Sequence, residues 1–266
     1  MLGAIAGDII GSVYEFDNIK TKEFELFDYS SHRLNFTDDT VLTVALMDAI
    51  MNDLDFIKTM HRYFSKYPSA GYGGNFYHWC ENQETEPYES WGNGSAMRTS
   101  AVGYAYNTME EVLDKAEDFA AVTHNHPEGI KGAQAVSAAI FMARNDASKD
   151  EIQEFIVEQF DYDVETPLDE IRPDYVFDVS CQGSVPEAII CFLESTSFED
   201  AIRNAVSLGG DSDTIACITG SIAEAHYGGV PYNISNVALG FLPADLLDVV
   251  VGFYKNYGLS LGAHYA

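Results

Sequence analysis

Two short runs hold the residues best suited to chemistry. "FTDDT" places Thr37, Asp38, Asp39 and Thr40 directly before the apolar run Val41–Leu46, and "GGDSDT" places Asp211, Asp213 and Thr214 before the apolar run from Ile215. Either run alone reads as a helix cap, because Thr and Asp oxygens accept the unpaired amides of a first turn. The recurrence of one design at two distant points asks for more than a cap. If Asp38, Asp39, Asp211 and Asp213 converge, four anions share one site and raise each other's pKa. Two divalent cations would balance them. Mg²⁺ and Mn²⁺ prefer all-oxygen ligand sets, and the hydroxyls of Thr37 and Thr214 would add to the four carboxylates. No Cys or His cluster accompanies the acids, so neither zinc nor iron is indicated.

Composition bounds the rest. The chain has 266 residues, 47% of them hydrophobic, which supports a substantial core and excludes global disorder. Forty-two acidic residues against 14 basic ones give a formal charge of −28, which disfavours phosphate backbones and anionic membranes and favours cations. Cys80, Cys181, Cys191 and Cys217 are scattered, as reduced, mostly buried thiols would be. The N-terminal stretch "MLGAIAGDIIGSVYEF" is apolar but has no basic flank and contains Asp8 and Glu15, unlike a signal peptide or a membrane span. A cytoplasmic monomer with no membrane contact and no direct nucleic-acid binding is expected.

The elements that must position these acids read as helices. Helix-like apolar spacing runs over 41–50, 54–66, 96–106, 110–121, 130–144, 149–160, 185–194, 199–208, 214–226 and 243–255. Ser197 and His126 suit caps, and Pro127 suits a first turn. Strand-like alternation is scarce, and no linker or repeat divides the chain, so one all-α domain over 1–266 is expected. Gly3, Gly7 and Gly11 recur every fourth residue and would give a helix one smooth face for close packing or a ligand. Residues 68–93 read as one long loop, rich in glycine and aromatics, of the kind that carries function. Arg98, the one basic residue near it, reads as a structural counter-ion to a neighbouring acid.

In order along the chain, "GDIIGSVYE" (7–15), "FTDDT" (36–40), "GYGG" (71–74), "SWGNGSAMR" (90–98), "TH" (123–124), "SVPEAIICFL" (184–193) and "GGDSDT" (209–214) together resemble the ADP-ribosylglycohydrolase family. The resemblance implies an orthogonal helical bundle holding two Mg²⁺ or Mn²⁺ ions, with Thr37, Asp38, Asp39, Asp211, Asp213 and Thr214 as ligands. It implies hydrolysis of the glycosidic bond between ADP-ribose and a protein side chain or related acceptor. Glu15 would be a flap carboxylate that meets metal, substrate or water, and with Asp38 and Asp39 would form the catalytic set. Gly71, Tyr72, Gly73 and Gly74 would approach the diphosphate or distal ribose. Ser90, Trp91, Gly92, Asn93, Gly94, Met97 and His124 would surround the diphosphate and reacting ribose. Members that prefer serine-linked ADP-ribose tend to have tyrosine where Trp91 stands, and an indole offers one N–H donor and no acceptor. A catalytically silent ADP-ribose binder, or another dimetal hydrolase of nucleotides or phosphoesters, is the alternative.

Overall fold

The computed structural model describes residues 1–261, and within them the chain is helical with no strand. The N-terminal part supplies α1 (Leu2–Gly11), α2 (Asp38–Met51), α3 (Phe56–Lys66) and α4 (Gly74–Glu81). The middle supplies α5 (Gly94–Met97), α6 (Ser100–Ala105), α7 (Met109–Ala121), α8 (Pro127–Arg144), α9 (Lys149–Phe160) and α10 (Leu168–Ile171). The C-terminal part supplies α11 (Cys181–Leu193), α12 (Phe198–Leu208), α13 (Ser212–His226), α14 (Tyr232–Gly240) and α15 (Ala244–Asn256). No helix among the described residues is long and apolar enough to cross a membrane.

At the centre lie α1 and α13. Every residue of α1 is buried, as are all those of α13 up to Glu224. The glycine spacing in α1 is what brings the two together. A Cβ on Gly7 would lie 2.0 Å from the Ala216 carbonyl oxygen, and one on Gly3 2.1 Å from that of Gly220. Gly11 meets the backbone of Ser212 and Asp213. Positions advance in α1 as they retreat in α13, so the helices are antiparallel, and the C-terminal end of α1 abuts the N-terminal end of α13. The Ser212 hydroxyl ties the two ends by donating to the Gly11 carbonyl at 2.9 Å.

Local rules account for the remaining elements. Ser197 accepts from the Asp200 amide, His126 Nδ1 from the Glu128 amide, and Pro127 opens α8. Capping boxes start α7 at Thr108 and α9 at Ser148. The four cysteines are free and buried.

Two expectations are corrected. The stretch 68–93 is not a continuous loop, because α4 forms within it. Phe76, Trp79 and Cys80 sit at helical spacing and bury one face, and the Trp79 Nε1–H donates to the Glu86 carbonyl at 2.9 Å. The expected helix over 96–106 is instead two short ones, α5 and α6, broken at Arg98 and Thr99.

Substituting Gly7→Ala drives a methyl group into backbone rather than into a movable side chain. We expect a loss of about 3 kcal/mol or more in unfolding free energy by urea titration, the upper range for an overpacked core. A loss below about 0.5 kcal/mol, the level of an unconstrained surface change, would contradict the packing described.

Candidate functional site

Because α1 and α13 are antiparallel, Glu15 just beyond α1 meets Asp211 and Asp213 at the start of α13. One carboxylate oxygen from each of these three lies within 4.8 Å of the others. A second such group, sharing Asp213, joins Asp8 of α1 and Asp39 of α2. The two acidic motifs therefore converge, and the amino-terminal ends of α2 and α13 both point at the cluster, where their dipoles favour negative charge.

Thr37 does cap α2, accepting from the Asp39 amide. The cap is itself held by Asp8, a residue that sequence reasoning did not assign to the site. Asp8 Oδ2 accepts from the backbone amides of Thr37 at 2.9 Å and Thr40 at 3.1 Å, and from the Thr40 hydroxyl; Oδ1 accepts from the Thr37 hydroxyl at 2.7 Å. The only signal for it in the sequence was a single charge inside the otherwise apolar "LGAIAGDIIG". At α13 the cap reading fails. Asp211 occupies the N-cap position yet makes no side-chain cap bond. Its Oδ2 instead accepts from the Asn93 side-chain amide at 2.7 Å, and the same amide reaches the Ser184 hydroxyl at 3.1 Å. Thr214 lies over Asp39, its hydroxyl 3.3 Å from Oδ2.

Burial raises the pKa of every carboxylate in the cluster. Asp8 is pushed to about 6, with its hydrogen bonds from Thr40 and Thr37 holding it from going higher. Asp38, Asp39 and Asp213 lie well above the ordinary value, through burial first and neighbouring acids second. Asp211 is raised by burial and partly relieved by Asn93. Glu15, half-buried, reaches about 7 through burial and the charges of Asp211 and Asp8. Among the described residues, Asp39 Oδ1 is buried without a hydrogen-bond partner. An unpartnered carboxyl oxygen among crowded buried acids, with hydroxyls as neighbouring donors, fits hard divalent cations.

All of these acids except Asp8 line one cleft of about 570 Å³. Its lining gathers Glu15, Thr37, Asp38, Asp39, Asp211, Asp213 and Thr214 with Gly71, Gly73, Gly74, Ser90, Gly92, Asn93, Gly94, Met97 and His124. The 90s loop is pinned over it by an isolated bridge between Gly92 and Ser180, with Asn93 N–H donating to Val179 at 2.8 Å and Cys181 N–H to Trp91 at 2.9 Å. Two expected substrate residues stand outside the lining. The Tyr72 ring is buried toward the core, packed between Phe64 and Phe76 at 5.1 and 5.4 Å. Trp91 is 54% exposed at the rim, edge-on to His126. Phe16, Phe177 and Val179, not foreseen, line the mouth.

Arg98 also differs from expectation. It is buried, and among the described residues no carboxylate lies within ion-pair distance of it. Its guanidinium lies over the Phe56 ring at 5.5 Å and donates to the Phe119 carbonyl and the Thr123 hydroxyl. Burial lowers its pKa to about 10.

Residues 1–240 match the profile of the family described as ADP-ribosylglycohydrolase. The chain is 28% identical to ADP-ribosylhydrolase ARH3 of Mus musculus, over 93% of this chain and 88% of the relative. It is 23% identical to ADP-ribosylarginine hydrolase Tri1 of Pseudomonas putida (strain GB-1), over 86% of this chain and 69% of the relative. A solved structure of an ADP-ribosylglycohydrolase-related protein complex has the same fold, with a TM-score of 0.72 at 23% identity, covering 96% of this chain and 97% of that one.

The raised carboxylates make stability depend on pH in a definite direction. Without metal, Asp8 binds its proton more tightly folded (about 6) than unfolded (3.8), and Glu15 likewise (about 7 against 4.5). The folded state thus holds more protons in this window, and its stability falls as pH rises through those folded values. Carboxylates held low elsewhere, such as Asp200 and Asp245, titrate below it, and the lowered imidazoles of His124 and His226 act in the opposite sense but are outnumbered by the raised carboxylates. In chelator, the Tm measured by calorimetry is expected to fall as pH rises from about 5 to about 7.5, and excess Mn²⁺ to raise it and flatten the slope. A Tm that rises over this range in chelator would count against the cluster.

Proposed function

Because the chain belongs to the ADP-ribosylglycohydrolase family and so is a hydrolase of glycosyl bonds, we propose that it cleaves the bond joining ADP-ribose to a protein side chain, with the help of two divalent cations. The observation behind this reading is the convergence of two acidic motifs, with an unpartnered Asp39 Oδ1 among the described residues, in one cleft. Thr37, Asp38, Asp39, Asp211, Asp213 and Thr214 would hold Mg²⁺ or Mn²⁺. When bound, these ions supply positive charge that offsets the carboxylates and orients the ribose hydroxyls.

The chain's own residues perform the rest. Gly71, Gly73 and Gly74 give a wall without side chains, so that the diphosphate and its ribose approach the backbone closely. Ser90, Gly92, Asn93, Gly94 and Met97 close the opposite wall, and His124 faces the reacting ribose. As the bond to the leaving group lengthens, positive charge grows at the anomeric carbon, and the surrounding carboxylates stabilise it. Glu15 stands at the edge of the cluster with a pKa of about 7. Burial and the neighbouring acids hold that value up in the absence of metal; with cations offsetting those acids, Glu15 would be ionised and would take a proton from the attacking water as general base. Ionised and half-buried on the segment after α1, it can also turn toward the substrate. Trp91, at the rim, would meet the outer part of the ligand through its single N–H.

Proteins carrying ADP-ribose on arginine or on serine serve as test substrates, with free ADP-ribose as the readout. Release is expected with Mg²⁺ or Mn²⁺ present and to cease on chelation. Asp211→Asn should cost at least about a hundredfold in rate, the scale of losing a key electrostatic group, and Glu15→Gln more than about tenfold. Release of inorganic phosphate in place of ADP-ribose would point to phosphoester chemistry and overturn the reading. So would metal-dependent ADP-ribose binding without turnover of either linkage.

A further inference from the structure

Arg98 is a buried cation with no anion paired to it among the described residues, and its hydrogen bonds lead to the cleft. Its Nη2 donates to Thr123 Oγ1 at 2.9 Å. A guanidinium has only donors, so the Thr123 oxygen is the acceptor in that bond and its own proton is free to be given elsewhere. His124 Nδ1 lies 2.7 Å from the same oxygen. The Tyr88 phenol also reaches that hydroxyl, but burial keeps it protonated with its own proton to donate, and the imidazole nitrogen at 2.7 Å is the stronger acceptor for the Thr123 proton. An imidazole nitrogen that accepts a hydrogen bond carries no proton, so the neutral ring bears its proton on the other nitrogen. That nitrogen, Nε2, is turned to the cleft wall formed by the glycines of the 90s loop. A Cβ on Gly94 would lie 3.1 Å from it, and one on Gly92 3.7 Å. Nε2 has no hydrogen-bond partner among the described residues, and the ring lines the cleft.

We propose that Arg98 and Thr123 are positioning residues that fix His124 as the neutral Nε2–H tautomer, presenting a hydrogen-bond donor to an oxygen of the bound ligand. The assignment of the ligand rests on the function proposed above; the relay itself does not.

The chemistry of the site explains why such a device is useful. A protonated His124 would add a cation to a cleft that is to hold divalent ions. Burial, and then the charge of Arg98, push its pKa well below 6.5. The other titratable group facing the ring is Tyr88, with centroids 6.0 Å apart, and burial lifts that phenol to about 12, so it is neutral too. His124 is then a donor of constant strength across the physiological range. The docking group must be an acceptor, such as a ribose hydroxyl or phosphate oxygen, and a group that can only donate is refused.

Long-range proton–nitrogen correlation spectra of the full-length, metal-free protein labelled at histidine nitrogens read the tautomer directly, with His124→Gln assigning the signal. The Nε2–H pattern is expected, unchanged between about pH 5.5 and about 8, as for an imidazole whose pKa lies far below. Thr123→Val, which keeps the shape but removes the hydroxyl, should lose that fixed pattern and weaken ADP-ribose binding by about fivefold to tenfold, the scale of one hydrogen bond. Thr123→Ser should restore both. An Nδ1–H pattern in the unaltered protein, a pattern unmoved by Thr123→Val, or ADP-ribose affinity unmoved by it would each overturn the proposal. The expected tautomer in a protein that fails to bind ADP-ribose under any metal condition would uphold the relay and overturn the function instead.

Discussion

Helix α1 touches α13 backbone to backbone. No side chain separates Gly3, Gly7 and Gly11 from Gly220, Ala216 and Ser212. Glycine costs a helix about 1 kcal/mol per position relative to alanine, so three of them weaken α1 as an isolated element. The loss is offset by burial on every side, and the close approach sets the geometry of everything above it. With larger residues the axes would separate, and Glu15 would leave Asp211 and Asp213. Asp8 would likewise leave Asp39 and lose its hold on the turn that begins α2.

A cluster of like charges in a buried place is the second consequence. The fold relieves part of its cost with means visible in the hydrogen bonds. Asp8 accepts four, Asp211 takes the Asn93 amide, and two helix amino-termini face the acids. The relief is incomplete, as the raised pKa values of all the clustered carboxylates show, with Asp39 Oδ1 left without a partner among the described residues. A protein selected only for stability would replace such groups, because a buried charge is costly unless it is paired. Retaining them is understandable when divalent cations complete the site, which is how the proposed function uses them. His124 follows the same logic from the other side, as a polar group kept neutral beside the place that the proposed function gives to positive charge.

What the sequence made legible follows from the range of each interaction. Helices with strong periodicity or local caps, such as α7, α9 and α12, were readable because their determinants lie within a few residues. The pairing of Asp38 and Asp39 with Asp211 and Asp213 was readable because both motifs repeat one local design. Asp8 was not, since its partners Thr37 and Thr40 are brought to it only by tertiary packing. Helix α4 was hidden by the glycines just before it, although Phe76, Trp79 and Cys80 had the right spacing. Tyr72 and Trp91 sit within the right loops, but which way a loop side chain turns depends on the core beneath it. Arg98 was expected beside an acid on grounds of charge balance, whereas the structure satisfies it with a ring, a carbonyl and a hydroxyl.

The central claim is that the two acidic motifs form one site for two cations. Crystals of the protein soaked in Mn²⁺ and measured for anomalous scattering at the manganese edge test it most directly. The account predicts two peaks in the cleft, among Thr37, Asp38, Asp39, Asp211, Asp213 and Thr214, close to the two carboxylate groups that Asp8 and Glu15 complete. Absence of anomalous density from the cleft, in crystals where Mn²⁺ is seen only on exposed carboxylates, would contradict it.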